Sequence, residues 1–168
     1  MITTFLLEHK WITPTLLALI VVIGTPVTAA LANNRRVLSG LTGLSLVPLA
    51  ALTLIPQRRE LFSRCEITAE FWWPTIGRVE LMANVVLFVA PTLLVAALWR
   101  SPARAFGAGV GLSLVIESVQ AAVPALGRSC DSNDFITNSM GAAIGAVLGF
   151  VALRVAQRRA FAARAAGA

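Results

Sequence analysis

Residues 81–99 read LMANVVLFVAPTLLVAALW, a run of nineteen residues without a charged side chain. A helix of this length, at about 1.5 Å per residue, is roughly 30 Å long, which is the thickness of the hydrocarbon core of a bilayer. Inside hydrocarbon the backbone has to satisfy its own hydrogen bonds, and a helix does so within one segment. The run therefore predicts a membrane-spanning helix.

Four further apolar runs of similar length flank this one, at Trp11–Ala32, Val37–Ile55, Ala105–Leu126 and Phe135–Val155. Hydrophobic residues make up 57% of the chain and charged residues only 13%, whereas a soluble domain has about 25% charged residues. A soluble chain of 168 residues would lack the polar side chains to cover so much apolar surface. We therefore expect an all-α fold, a single membrane domain over residues 1–168 that forms a polytopic bundle of about five transmembrane helices.

Composition also argues against several classes of function. The chain has one histidine and no tyrosine, which leaves no histidine cluster for a metal and little choice for a catalytic triad. The net charge of +6 does not indicate nucleic-acid binding, because the arginines stand at the ends of the apolar runs, where such residues set membrane topology. We expect the lipid bilayer to surround this protein, and no nucleic-acid partner.

The arginines predict the orientation of the helices. Five spans place the first connection, the third connection and the basic tail at 157–168 on one side, together with eight arginines and no acidic residue: Arg35, Arg36, Arg100, Arg104, Arg154, Arg158, Arg159 and Arg164. The other side has six basic and seven acidic residues: Lys10, Arg58, Arg59, Arg64, Arg78 and Arg128, with Glu8, Glu60, Glu66, Glu70, Glu80, Asp131 and Asp134. Because arginine-rich connections stay in the cytoplasm, the N-terminus is predicted outside and the C-terminus inside.

The first run has an alternative reading as a signal peptide, since Ala30–Ala32 resembles a cleavage site. A signal peptide carries its positive charge before the apolar run, however, and here Arg35 and Arg36 follow it. We therefore expect the first run to stay in the protein as a helix.

Both cysteines of the chain, Cys65 and Cys130, fall on the predicted outer side. In an oxidising compartment such a pair forms disulfides, and a bridge here would join the long second connection to the loop before the last helix. The alternative is two unpaired thiols, because sequence alone does not test whether the two Cα atoms come close enough.

Glu117 is the ionisable residue that stands deepest in a predicted span, about nine residues or roughly 14 Å before the end of the fourth run at Leu126. An acid inside hydrocarbon is costly without a partner or water, and it is by default a functional residue. Gln120 follows three residues later on the same helix face, one turn nearer the outside.

The densest polar stretch of the chain comes next, with Arg128, Asp131, Ser132, Asn133, Asp134 and Asn138. If the last helix begins near Asp131, then Asp131, Asp134 and Asn138 share one face of it, and Asn84 lies at a similar depth in the third helix. We predict that these residues, with Glu117 and Gln120, line one cavity in the outer leaflet. Structural roles are the alternative: a helix cap at Asp131 or Ser132, a surface pair of Arg128 with Asp131, and interhelical bonds from the amides.

A glycine repeats every four residues in the last run, at Gly141, Gly145 and Gly149. Such a stripe lets a neighbouring helix approach closely, so we expect it to be a packing face. We expect the same of Gly107, Gly109 and Gly111 near the start of the fourth run.

These polar positions resemble the signature of the VanZ-like family. The resemblance lies in the order Glu117-x-x-Gln120, Arg128-x-x-Asp131-x-x-Asp134-x-x-x-Asn138-x-x-Gly141-x-x-x-Gly145, and in the earlier run NVVLFVAP at Asn84–Pro91. It covers about Leu46–Phe150. Thr92 departs from it, since the family often has glycine after that proline, and the departure concerns the local bend of the helix.

The resemblance implies a multi-pass protein of the bacterial cytoplasmic membrane, linked to resistance to the glycopeptide antibiotic teicoplanin. It implies that Glu117, Gln120, Arg128, Asp131, Asp134 and Asn138, with Asn84 beside them, are the functional residues. It implies no particular reaction.

Three kinds of function stay open at this point. In the first, the outer-leaflet cavity binds a lipid-linked cell-wall precursor or the antibiotic, with Arg128 holding a phosphate or carboxylate. In the second, the protein is an enzyme on a lipid-linked envelope substrate, with Glu117 as general acid or base. Asp131 and Asp134 would then be the candidate ligands of a divalent metal, but two aspartates three residues apart are a weak signal, and we expect no cofactor. In the third, it is a small transporter or scaffold subunit, which implies a homo-oligomer.

Overall fold

The computed structural model describes residues 8–56, 65–67, 73–75 and 77–166. Within these ranges, five helices are long and apolar enough to cross a membrane: α1 (Ile12–Leu31), α2 (Arg35–Leu54), α3 (Val79–Trp99), α4 (Pro102–Ala122) and α5 (Ser132–Ala166). Of the described residues, 83% are helical. The predicted all-α fold with five spans is therefore confirmed, and the protein is a multi-pass membrane protein. Five charged residues of the orientation argument (Arg58, Arg59, Glu60, Arg64 and Glu70) lie outside the described ranges.

Shorter elements complete the described chain. A π-helical segment at Ile20–Gly24 interrupts α1, and a 3-10 turn at Pro124–Leu126 follows α4. Two strands of two residues each, β1 (Cys65–Glu66) and β2 (Cys130–Asp131), pair in parallel with Cys65 opposite Cys130.

Helix α4 ends four residues before the predicted end of the fourth span at Leu126. Its last residue is Ala122, and Val123 has an extended backbone with φ −119° and ψ 80°. The cause is Pro124, because a proline disfavours the helical conformation of the residue before it. Glu117 therefore stands five residues, or about 8 Å, from the end of its helix, and the predicted distance of roughly 14 Å to that end was wrong.

Helix α5 is longer than the bilayer is thick. Its 35 residues span about 52 Å, against roughly 30 Å of hydrocarbon. The basic tail at 157–168 continues this helix through Ala166, because alanine and arginine favour a helix and the next helix-breaking residue is Gly167.

The glycine stripe of α5 packs directly against the backbone of α3. A Cβ added at Gly145 would lie 2.5 Å from the Val89 carbonyl oxygen, and one added at Gly141 would overlap the carbonyl of Val85. Thr92, which replaces the glycine of the VanZ-like pattern, is buried and packs where Gly145 and Gly109 lack a side chain. Because Gly145 of α5 and Gly109 of α4 have no side chain, α3 has room for a residue larger than glycine at Thr92.

Two other glycines do not pack as expected. A Cβ at Gly107 or Gly111 would meet no atom of the described residues within 4 Å. The packing prediction for the fourth run holds for Gly109 and is wrong for its two neighbours, which face away from α5.

A disulfide joins Cys65 to Cys130, with their Cα atoms 4.5 Å apart. It ties the connection between α2 and α3 to the residues just before α5. We call this end of the bundle the disulfide end, and we call the opposite end, with the loops 32–34 and 100–101, the arginine end.

Replacing Gly145 by valine is expected to destabilise the protein, because the new side chain overlaps the α3 backbone. The cost of overpacking a core is about 1–3 kcal/mol. The matched control is Gly111→Val, which adds the same atoms to a site of α4 with open space around it. Unfolding midpoints in detergent measure both variants, and equal midpoints would contradict the packing described for α3 and α5.

Candidate functional site

Polar side chains from three helices meet at the disulfide end of the bundle. We call this group the polar cluster, and it consists of Asn84, Ser113, Glu117, Gln120, Arg128, Asp131, Asp134 and Asn138. Ser113, Glu117, Gln120 and Asn138 are buried, and the other four are half-buried. Since buried polar groups are nearly always hydrogen-bonded, the partners of each residue indicate what it does.

Glu117 accepts a hydrogen bond from the backbone N–H of Asp131, at 2.8 Å. The loop after α4 turns back over its end to bring β2 there, and this turn includes Gly127 with φ 60°, a left-handed conformation that glycine adopts without strain. The side chain of Glu117 is only 8% exposed. The acid therefore receives its donor from the strand that the disulfide anchors.

Asp131 caps the last helix. Its Oδ1 accepts the backbone N–H of Asn133 at 2.8 Å, and α5 begins at the residue between them, Ser132. This is the geometry of an N-cap, which satisfies one of the unpaired donors at a helix start. Asp131 thus positions the start of α5 and, through its own backbone N–H, holds Glu117.

Asp134 is bound to the third helix, because the side-chain amide of Asn84 donates to its Oδ1 at 2.7 Å. Its carboxylate also interacts electrostatically with Asp131, Glu80 and Arg128, and Glu117 interacts with both aspartates. Four acidic groups therefore share this region with the guanidinium of Arg128. A concentration of carboxyl groups of this kind favours ligand groups that donate hydrogen bonds.

The two remaining amides connect helices. Asn138 donates to the hydroxyl of Ser113 at 3.1 Å, and Gln120 donates to the backbone carbonyl of Thr53, near the end of α2, at 3.3 Å. Both bonds are of the kind that holds membrane helices together. Gln120 shares a face of α4 with Glu117, as expected, but its bond goes to α2 and not to α5.

Sequence reasoning missed the buried hydroxyl of Ser113 in this cluster. A signal for it exists, because Ser113 stands four residues before Glu117 in the same helix and so lies on the same face. A search for every polar residue at helical spacing from Glu117 would have found it. The carbonyl of Thr53 has no such signal, since any residue has a carbonyl.

A divalent metal at Asp131 and Asp134 gains no support from the geometry. Among the described residues, no group of three or more histidine, cysteine, aspartate or glutamate side chains is placed to hold a metal ion. Asp131 instead caps a helix and Asp134 bonds to Asn84.

Replacing Glu117 by leucine is expected to cost about 1–3 kcal/mol of folding free energy, because it leaves the part-buried N–H of Asp131 without its acceptor. Glu117→Gln is the matched control, since its amide oxygen can still accept that bond. Denaturant unfolding in detergent compares the two. Equal losses from both variants would show that this hydrogen bond does not hold the loop.

The sequence profile of the VanZ/LLP1 family matches residues 11–153. The match takes in α1 to α4, the polar cluster and the glycine stripe of α5. No curated protein and no solved structure gave a match to the chain. Because the matched residues are most of the 168 in the sequence, the protein belongs to the VanZ/LLP1 family.

Proposed function

We propose that this protein acts at the outer leaflet of a bacterial cytoplasmic membrane and protects the cell against a glycopeptide antibiotic such as teicoplanin. It does so by binding or altering a lipid-linked cell-wall precursor at the polar cluster. The observation that carries the proposal is the position of Asp134, a half-buried carboxylate that Asn84 holds within electrostatic reach of Arg128.

Two independent features support an outward-facing polar cluster. The eight arginines of the predicted cytoplasmic side are all at or near the arginine end, and arginine-rich connections stay in the cytoplasm. The disulfide is at the other end, and disulfides persist in oxidising compartments outside the cytoplasm. Charge and redox chemistry thus favour the same orientation, with the N-terminus outside and the C-terminus inside.

The residues of the polar cluster suit the groups of a lipid-linked precursor. Asn84 bonds to one oxygen of Asp134, and a carboxylate has further lone pairs to accept bonds from sugar hydroxyls or amines. Arg128 has the planar guanidinium that binds phosphate or carboxylate through paired bonds. Glu117 and Asp131 accept backbone N–H groups, which is a positioning role, and we therefore favour binding over catalysis.

Expression of the wild-type protein in a teicoplanin-sensitive Gram-positive host is expected to lower the susceptibility of the host to teicoplanin more than its susceptibility to vancomycin. Asp134→Asn removes the negative charge and keeps the shape, so it should return susceptibility to that of the empty-vector strain. The matched control Glu8→Gln removes an exposed acid outside the cluster and should keep the protection. Membrane protein level is measured for every strain.

If Asp134→Asn keeps the protection, the polar cluster is not the site of the protective function. A well-expressed wild type that gives no protection would reject the antibiotic role, and the fold and the family would stand.

Orientation can be measured separately, because Cys65 and Cys130 are the two cysteines of the chain. On intact cells, a membrane-impermeant maleimide is expected to label the protein only after an impermeant reductant has opened the disulfide. As a control, a cysteine placed in α5 by Ala160→Cys, in a Cys65→Ser, Cys130→Ser background, should react only after the cells are permeabilised. The reverse pattern would show that the polar cluster faces the cytoplasm.

A further inference from the structure

An open cavity of about 580 Å³ lies at the arginine end, where the loop between α1 and α2 meets the loop between α3 and α4. Its wall includes three arginines from these two regions, Arg35, Arg100 and Arg104. Among the described residues, no acidic side chain lines it. The wall thus concentrates positive charge without an acid to neutralise it.

Arg100 gives one side of the cavity a defined shape. Its backbone is left-handed, with φ 51°, which is uncommon for a residue with a side chain. Its Nη2 donates to the side-chain oxygen of Asn33 at 2.7 Å and to the carbonyl of Ala32 at 3.4 Å. These bonds tie the end of α3 to the end of α1 through one guanidinium nitrogen, and the group carries further donors on its other two nitrogens.

The other two arginines stand at helix starts, where positive charge is already in excess. Arg35 is the first residue of α2 and Arg104 is the third residue of α4. A helix start carries a partial positive charge that favours anions and disfavours cations. Neither helix has an acid in its first turn; the Asn34 side chain caps α2, whereas the Ser101 side chain does not cap α4.

Membrane orientation alone does not account for this arrangement. The positive-inside rule counts arginines on one side of the membrane. It requires neither that arginines from two connections converge on one cavity nor that they lie at helix starts. The arrangement suits an anionic ligand.

An exposed tryptophan in the cavity wall indicates the depth of lipid headgroups. Trp99, which is 47% exposed, belongs to this wall, and tryptophan concentrates at the membrane–water interface. The connections that border the cavity are short and join membrane-spanning helices, so its opening cannot lie far from the lipid phosphates. Arginine binds phosphate with a planar, paired set of donors.

We propose that this cavity binds the phosphate of an anionic phospholipid headgroup, with Arg35, Arg100 and Arg104 as its contacts. The site is at the opposite end of the bundle from the polar cluster and does not rest on the function proposed above.

The test uses the purified full chain in neutral detergent, titrated with phosphatidylglycerol and, separately, with phosphatidylcholine of the same acyl chains. Native mass spectrometry counts the bound lipid. The double variant Arg35→Gln, Arg104→Gln keeps Arg100, which holds the loops together. The matched control Arg159→Gln, Arg164→Gln removes the same charge from exposed positions of α5 outside the cavity wall.

The wild type is expected to bind phosphatidylglycerol more tightly than phosphatidylcholine. The cavity variant should lose about thirtyfold in affinity for phosphatidylglycerol, because each of its two lost arginines contributes a factor of about 5 to 6 near an anionic headgroup. The control should keep wild-type affinity. Equal affinity of the cavity variant and the wild type, or equal binding of the two lipids by the wild type, would overturn the proposal.

A separate titration with inorganic phosphate distinguishes a lipid ligand from a soluble anion. If inorganic phosphate raises the unfolding midpoint of the wild type as much as phosphatidylglycerol does, the site binds a soluble phosphate. That result would overturn the proposal of a lipid ligand. If the cavity variant does not fold, Arg104→Lys replaces it, because lysine keeps the charge and loses the planar fork. Weaker binding of phosphatidylglycerol by this variant is expected, and unchanged binding would reject the site.

Discussion

The contact between the backbones of α3 and α5 is the constraint on which the rest of the structure depends. It exists because Gly141, Gly145 and Gly149 leave the face of α5 without side chains opposite Val85, Val89 and Ala96. Lipid tails are as apolar as leucine, so apolar side chains alone give membrane helices little reason to associate. Close approach adds dispersion contacts along the whole interface, and these contacts accumulate.

The same helix face also builds the polar cluster. Asp134 stands seven residues before Gly141, which is two helical turns, so it continues the glycine stripe towards the disulfide end. Asn84 directly precedes Val85 on α3. The packing of Gly141 against Val85 therefore brings Asp134 close to Asn84, and the Asn84 side-chain amide donates a hydrogen bond to Asp134 at 2.7 Å. One interface thus produces both a close-packed contact and a polar one, at different depths of the membrane.

The two ends of the bundle have opposite chemistry. At the disulfide end, Cys65 and Cys130 hold β2 in the position where the Asp131 N–H reaches Glu117, and acidic groups dominate. At the arginine end, Arg100 joins two loops by hydrogen bonds to Asn33 and Ala32, and no described acid lines the cavity. The proposed orientation across the membrane and the two proposed ligands rest on this difference.

The sequence by itself determined the number of spans, the all-α class and the family, because these depend on the length of apolar runs and on the spacing of a few polar residues. It also placed Asn84, Glu117, Asp131 and Asp134 in one region, since helix periodicity and short connections bring them to the same end. It did not determine that α4 stops at Ala122, although Pro124 was there to indicate it, and so the distance from Glu117 to the end of its helix was overestimated.

Only the tertiary structure decided which partner each polar group has. The donor to Glu117 is a backbone N–H, the acceptor of the Gln120 bond is a backbone carbonyl, and Arg35 and Arg104 line one cavity from two different helices. Every residue except proline carries the same backbone groups, so no residue type in the sequence marks those that a buried side chain will use. The physical reason is that spacing along a chain describes one helix at a time, whereas a hydrogen bond between helices depends on how they rotate and approach each other.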